Sequence, residues 1–157
     1  MTRSTSLLSV LLLLSACSAT SPEGDPVNAL TEQFSRATTQ VPAFGGVTFD
    51  GDRPVVFTLG SKSEAEPAAR SIFGTNVVVR ERPAFGGGSE ALKGQVTQLL
   101  LGAVRDAQTT DYDETTGYVR LGVLTADAVR DAYRVMDDID FPTENVIVQV
   151  QAPIMLY

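Results

Sequence analysis

The chain has 157 residues, with 12 basic and 19 acidic side chains, a formal charge of −7, no histidine and a single cysteine. The negative balance argues against nucleic acid and anionic headgroups as partners, because both require a positive patch. Without histidine there is no Ser-His-Asp or Cys-His machinery, and one cysteine permits neither an internal disulfide nor a Cys/His zinc site. No cofactor is expected, and catalysis could rest only on carboxylates, Lys, Tyr, Ser or Thr.

The first element is an apolar run from Leu7 to Leu14, preceded by Arg3 and followed by Ser15-Ala16-Cys17. It is too short to cross a bilayer, which takes roughly 20 apolar residues. A charged start, a short apolar run and small residues before a cleavage point describe a targeting segment. The pattern resembles a bacterial lipoprotein signal. On that resemblance residues 1–16 are removed, and Cys17 becomes an acylated N-terminus that anchors the protein in a membrane of the cell envelope. More than one chain gives stable anchoring, because each buried methylene contributes about 0.8 kcal/mol. Ser18 after the cysteine, in place of Asp, points to the outer membrane in a bacterium with two membranes. Residues 17–40 then read as a tether, polar and proline-containing at first, with a short helix over 28–39 that places Leu30, Phe34 and Ala37 on one face.

A single α+β domain is expected over residues 41–157. The β-rich runs 47–49 and 55–59 flank Asp50-Gly51-Asp52, a hairpin signal because glycine accepts positive φ. A weak helix follows over 63–70, then a strand over 76–80. Gly86-Gly87-Gly88 breaks the chain before Ser89, an N-cap for a helix over 90–107 with Leu92, Val96, Leu99, Leu100, Ala103 and Val104 on one stripe. A strand around Tyr112 turns through residues 114–117 into a second over 118–123. Thr125 caps a helix that faces Val129, Ala132, Tyr133 and Met136 inward and ends near Asp138. A last strand spans 146–150. From residue 76 onward the order is β-α-β-β-α-β, which predicts a ferredoxin-like sandwich preceded by the hairpin. Pro-Ala-Phe-Gly-Gly occurs at 42–46 and again at 83–87. A hairpin follows one copy and a helix the other, so the motif reads as recurrent turn chemistry and not as a duplicated domain.

Three constellations are candidate sites. The glycine run could cradle an anion, but it lacks the spacing of a nucleotide-binding loop and reads more simply as a flexible entry to the helix. Asp111, Asp113 and Glu114 crowd one turn and form a candidate cation site. Thr116 and Gly122, however, stand where an EF-hand needs its glycine and its bidentate glutamate. Asp137, Asp138 and Asp140 gather at a helix end, where the helix dipole disfavours them. Solvated turns account for both acidic groups without a ligand. Phe44, Phe49, Phe57, Phe73 and Phe85 sit in apolar or turn contexts and read as packing residues. Neither the carboxylates nor Lys93 belongs to a catalytic constellation.

Two segments carry a further resemblance. Val41-Pro42-Ala43-Phe44-Gly45-Gly46-Val47-Thr48-Phe49-Asp50 is followed by a Val-rich strand, and Asp111-Tyr112-Asp113-Glu114-Thr115-Thr116-Gly117-Tyr118-Val119-Arg120-Leu121-Gly122-Val123 forms an acidic turn and returning strand. Over roughly residues 41–151 the chain resembles the prodomains of streptogrisin-type serine proteases, although Gly117-Tyr118 stands where that module usually carries Asn-Arg. The resemblance implies a surface that binds another protein, by a sheet edge or the C-terminal strand, and transfers no catalytic residue. The expectation is a non-enzymatic, lipid-anchored protein-binding module, with an inhibitor or chaperone of a protease as one specific form. The alternative is a small-ligand or cation-binding envelope protein.

Overall fold

The computed structural model describes residues 26–83 and 89–152. The elements run α1 (Pro26–Gln40), β1 (Phe44–Asp50), β2 (Arg53–Thr58), α2 (Lys62–Phe73), β3 (Val78–Glu81), α3 (Glu90–Val96), β4 (Ala107–Asp113), β5 (Tyr118–Val123), α4 (Ala126–Asp138) and β6 (Val146–Val150). The fold is α+β, with two three-stranded sheets of order β1-β2-β3 and β4-β5-β6. In each sheet the first two strands are antiparallel, and the third lies parallel to the second. The element order from β3 onward is the expected β-α-β-β-α-β. The ladders divide it differently from a single ferredoxin-like sheet, because β3 pairs with β2 and not with the later strands.

The same αββαβ sequence of elements therefore occurs twice, and its details recur. Ala43 and Asp106, both at positive φ (47° and 57°), precede the first strand of each unit. Their carbonyls accept from Leu59 N at 2.7 Å and from Leu124 N at 3.0 Å, just past the second strand. A bulge follows one residue into each first strand, at Phe44/Gly46 and at Ala107/Thr109. Hydroxyl caps start both crossover helices: Ser61 Oγ accepts from Ser63 N at 3.2 Å, and Thr125 Oγ1 from Ala128 N at 3.1 Å. Each satisfies one of the orphan donors of a helix start. Beyond the third strand, Arg82 N and Gln151 N return to Thr58 O and Val123 O at 2.8 and 3.0 Å. The Pro-Ala-Phe-Gly-Gly motif does not mark this duplication. The place of Ala43-Phe44 in the second unit is taken by Asp106-Ala107, and the second copy falls largely on 84–88, outside the described residues.

The β1–β2 loop is the two-residue Gly51-Asp52, with positive φ at Gly51 (62°), as a type II′ hairpin turn requires. Gly46 has a φ of +116°, which L side chains rarely adopt, and it lies against β6: a Cβ there would make ordinary contact with Ile147 Cγ2 at 3.4 Å and Val148 O at 3.5 Å. That close approach is where β1 of the first unit packs beside β6 of the second.

The segment expected to be a tether up to residue 40 belongs to the core from α1 onward. Phe34 and Ala37 are fully buried, and the Phe34 ring meets Phe49 edge-on at 5.2 Å and Phe73 at 5.5 Å. Polar contacts lock the helix in place. Gln33 Nε2 donates to Ile72 O at 3.1 Å, Thr38 Oγ1 donates to Val150 O at 3.1 Å, and Thr31 Oγ1 accepts from Ala126 N at 3.0 Å. α1 thus touches α2 in its own unit and both β6 and α4 in the other.

The helix expected over 90–107 ends earlier. α3 passes at Thr97 into a π-helical turn that reaches Leu101, and β4 begins at Ala107. A π turn adds a residue and rotates the downstream side chains around the helix axis. Val96, Leu100 and Val104 remain buried, but Leu99, expected on the same stripe, is 44% exposed. α4 meets expectation in its cap, its extent and its buried Val129, Ala132 and Met136.

Truncating Phe34 removes the ring on which three elements converge. We expect Phe34→Ala to cost about 3–5 kcal/mol of unfolding free energy in urea. A loss below about 1 kcal/mol, the size of an ordinary surface effect, would show that α1 is not part of the core.

Candidate functional site

The acidic turn is built from its own backbone. Asp113 Oδ1 accepts from Thr115 N at 3.0 Å and Thr116 N at 3.2 Å, while Oδ2 accepts from Arg120 Nη2 at 2.8 Å and Nε at 3.3 Å. The Arg120 hydrogen bond is the main reason that the Asp113 carboxyl titrates below the usual carboxylate range, with the Thr116 contacts adding to it. Asp111 Oδ1 accepts from Tyr112 N at 2.9 Å. Asp111, Asp113 and Glu114 are neighbours in sequence, but they do not converge. Among the described residues no group of three carboxylates, or of carboxylates with Cys or His, comes close enough to hold a metal ion. At the end of α4, Asp138 pairs with Arg134 at 2.8 Å, and the exposed Asp137 and Asp140 border a shallow cleft of about 410 Å³ with Phe141 and Pro142. Lys93 sits 3.3 Å from Glu90 on the same helix. Cys17, Phe85 and the glycine run lie outside the described residues.

A side chain that the sequence did not single out occupies the seam between the two units. Arg82 Nη1 donates to Gly45 O and Val146 O, both at 3.1 Å, and Nη2 donates to Thr143 O at 3.2 Å. The guanidinium lies 4.5 Å from the Phe57 ring centroid and 5.4 Å from that of Tyr118, whose hydroxyl donates to Pro83 O at 2.7 Å. Among the described residues no carboxylate pairs with it. In the sequence Arg80-Glu81-Arg82-Pro83 reads as the solvated end of a strand, and nothing local distinguishes Arg82 from Arg80. Nearby, burial is the main cause that pushes the Tyr133 hydroxyl's titration up, so this phenol stays protonated near neutral pH. The arrangement joins carbonyls and rings and holds no activated nucleophile.

With β1 and β6 facing each other across the seam, β3 and β4 are the outer strands. β3 is four residues long and carries Arg80 and Glu81. β4 is seven residues long, contains no Lys or Pro, and carries Asp111, Asp113 and the bulge at Ala107/Thr109. Its Tyr112 N–H donates to the Asp111 carboxylate at 2.9 Å.

No protein-family model matches the chain, and no curated protein matches it significantly.

Two substitutions test the site. Arg82→Met keeps the bulk but strands three carbonyls, and is expected to cost about 3 kcal/mol in urea unfolding. A neutral effect would mean that the bonds contribute nothing net. Asp113→Asn is expected to cost about 1 kcal/mol at neutral pH. Because folding depresses the Asp113 pKa, its contribution is full above the unfolded value near 4 and is lost as pH falls through the folded one. The gap between wild type and variant should therefore begin to narrow below about pH 4 and shrink further as pH falls; a constant gap down to pH 2 would contradict this.

Proposed function

We propose that this protein is a lipid-anchored envelope lipoprotein whose α+β domain binds a partner protein at a sheet edge and catalyses no reaction. The observation that carries the reading is the place of β4 at the end of the β4-β5-β6 order, where an extended segment could join the sheet. In such strand addition the main chain supplies affinity, and side-chain pockets supply selectivity. Leu14-Ser15-Ala16-Cys17 supports the anchor, and no helix among the described residues is long and apolar enough to cross a membrane.

A protease-prodomain-like inhibitor or chaperone is one specific form of the proposal. Of the two segments that carry that resemblance, residues 41–50 cover the α1–β1 connection and all of β1, and residues 111–123 cover the last three residues of β4, the turn and β5. The ferredoxin-like relation enters only as the order of elements from β3 to β6.

A photo-crosslinking residue placed at Asp111, on the β4 edge, should trap a discrete protein adduct in cells, and the same residue at Glu66 on α2 should not. Cys17→Ser should move the protein from the membrane fraction to the soluble fraction. Identical adducts at both sites, or none at Asp111, would contradict edge binding; membrane retention without Cys17 would contradict the lipid anchor.

A further inference from the structure

The second unit carries at its outer edge the counterpart of the device that closes the seam. Arg82 and Gln151 hold the same place in their units, since their main-chain N–H groups return to Thr58 O and Val123 O. Each side chain then crosses the middle strand of its sheet toward the first strand. Arg82 passes over Phe57, which pairs with Gly46, and donates to Gly45 O at 3.1 Å. Gln151 passes over Gly122, which pairs with Thr109, and its Oε1 accepts from Thr109 Oγ1 at 3.1 Å. A Cβ at Gly122 would collide with the Gln151 carboxamide, so the glycine keeps that crossing open. Beyond β1 the guanidinium goes on to Val146 O and Thr143 O, where Val146, Ile147 and Val148 of β6 occupy the far side of the seam. Beyond β4 no strand lies among the described residues, and Gln151 Nε2 has no acceptor among them.

We propose that the β4 edge takes an extended, valine-rich segment of the partner protein, with Gln151 Nε2 donating to one of its main-chain carbonyls. The occupant is argued from the seam, where the corresponding edge of the same molecule already receives a Val-Ile-Val strand through a side-chain donor. A primary amide has two N–H donors, and the Thr109 bond uses only its oxygen. Being neutral, the amide replaces the guanidinium without the cost of moving a charge out of water, which suits a contact that forms and breaks. Thr109 stands where Gly46 leaves room for the Ile147 side chain, so the partner presents a residue no larger than valine at that place. The inference rests on the edge-binding reading and adds the chemistry of the bound segment and the residue that selects it.

The test is an NMR titration of the full chain in detergent micelles, following the Gln151 Nε2 signals and the β4 amides. The probe is acetyl-Thr-Glu-Asn-Val-Val-Val-Gln-amide, the 143–149 sequence with valine in place of Ile147, and the control carries Ser-Ser-Ser in place of the three valines. Saturable shifts are expected with the valine peptide alone. Gln151→Leu should weaken binding about five-fold, the size of one neutral hydrogen bond. Gln151→Arg, which restores the donor of the seam, should bind at least as tightly as wild type, and Arg70→Gln, on α2, should leave binding unchanged. No saturation, equal response to the serine peptide, indifference to Gln151→Leu, or a loss in Gln151→Arg as large as in Gln151→Leu would overturn the proposal. An Asp111 crosslink that persists without peptide binding would leave edge binding standing and reject the valine-rich segment.

Discussion

A cation with no carboxylate partner among the described residues bridges the two halves of this molecule. Moving a guanidinium out of water is costly, and here three carbonyls and two aromatic faces offset that cost. The carbonyls belong to the bulge of β1, the start of β6 and the loop before β6, so one side chain from the end of β3 fixes both units at their seam. A carboxylate partner would neutralise the charge but could not span three chain segments. The glycine at 46, beside Gly45 whose carbonyl Arg82 holds, is required by its φ of +116°.

The two αββαβ units are alike in their strand pairing, caps and crossovers and differ in the length of their hairpin loops and in their first helix. α1 spans the seam, and its Thr31 and Thr38 hydroxyls bond to α4 and β6. The corresponding positions in the second unit are Gly94 and Leu101, which have no hydroxyl to offer, and the π turn after α3 tips Leu99 outward. Among the described residues the second unit's first helix and its π turn pack mainly on β4 and β5 and also meet α4. One junction between units is closed by α1 and Arg82, and the outer strands β3 and β4 each keep one edge outside the sheet ladders.

Much of the fold was legible in the sequence, because local chemistry determines it. Asp50-Gly51-Asp52 specifies the first turn, Thr125 and the stripe Val129, Ala132 and Met136 specify α4, and β-branched residues specify the strand over 146–150. The parts that were not legible depend on distant partners. Phe34 and Ala37 look like one face of a marginal helix until Phe49 and Phe73 close over them. The stripe from Leu92 to Val104 reads as one continuous helix because periodicity does not register a π turn. The pairing of β3 with β2 is a choice between strands that sequence pattern leaves open. The acidic turn was visible as a cluster, but whether its carboxylates face a cation or their own backbone depends on Arg120 and two amide groups. Arg82 gives no local signal at all, since its partners lie up to 64 residues away along the chain.

The claim on which the account turns is that the seam makes the two units one cooperative body. Native-state hydrogen exchange of the intact protein measures this directly, by comparing opening free energies of amides in β2 with those in β5 as denaturant is raised. Convergence of both sets on a single global unfolding is the result predicted. Exchange of one sheet through its own lower-energy opening, with the other sheet still protected, would contradict it.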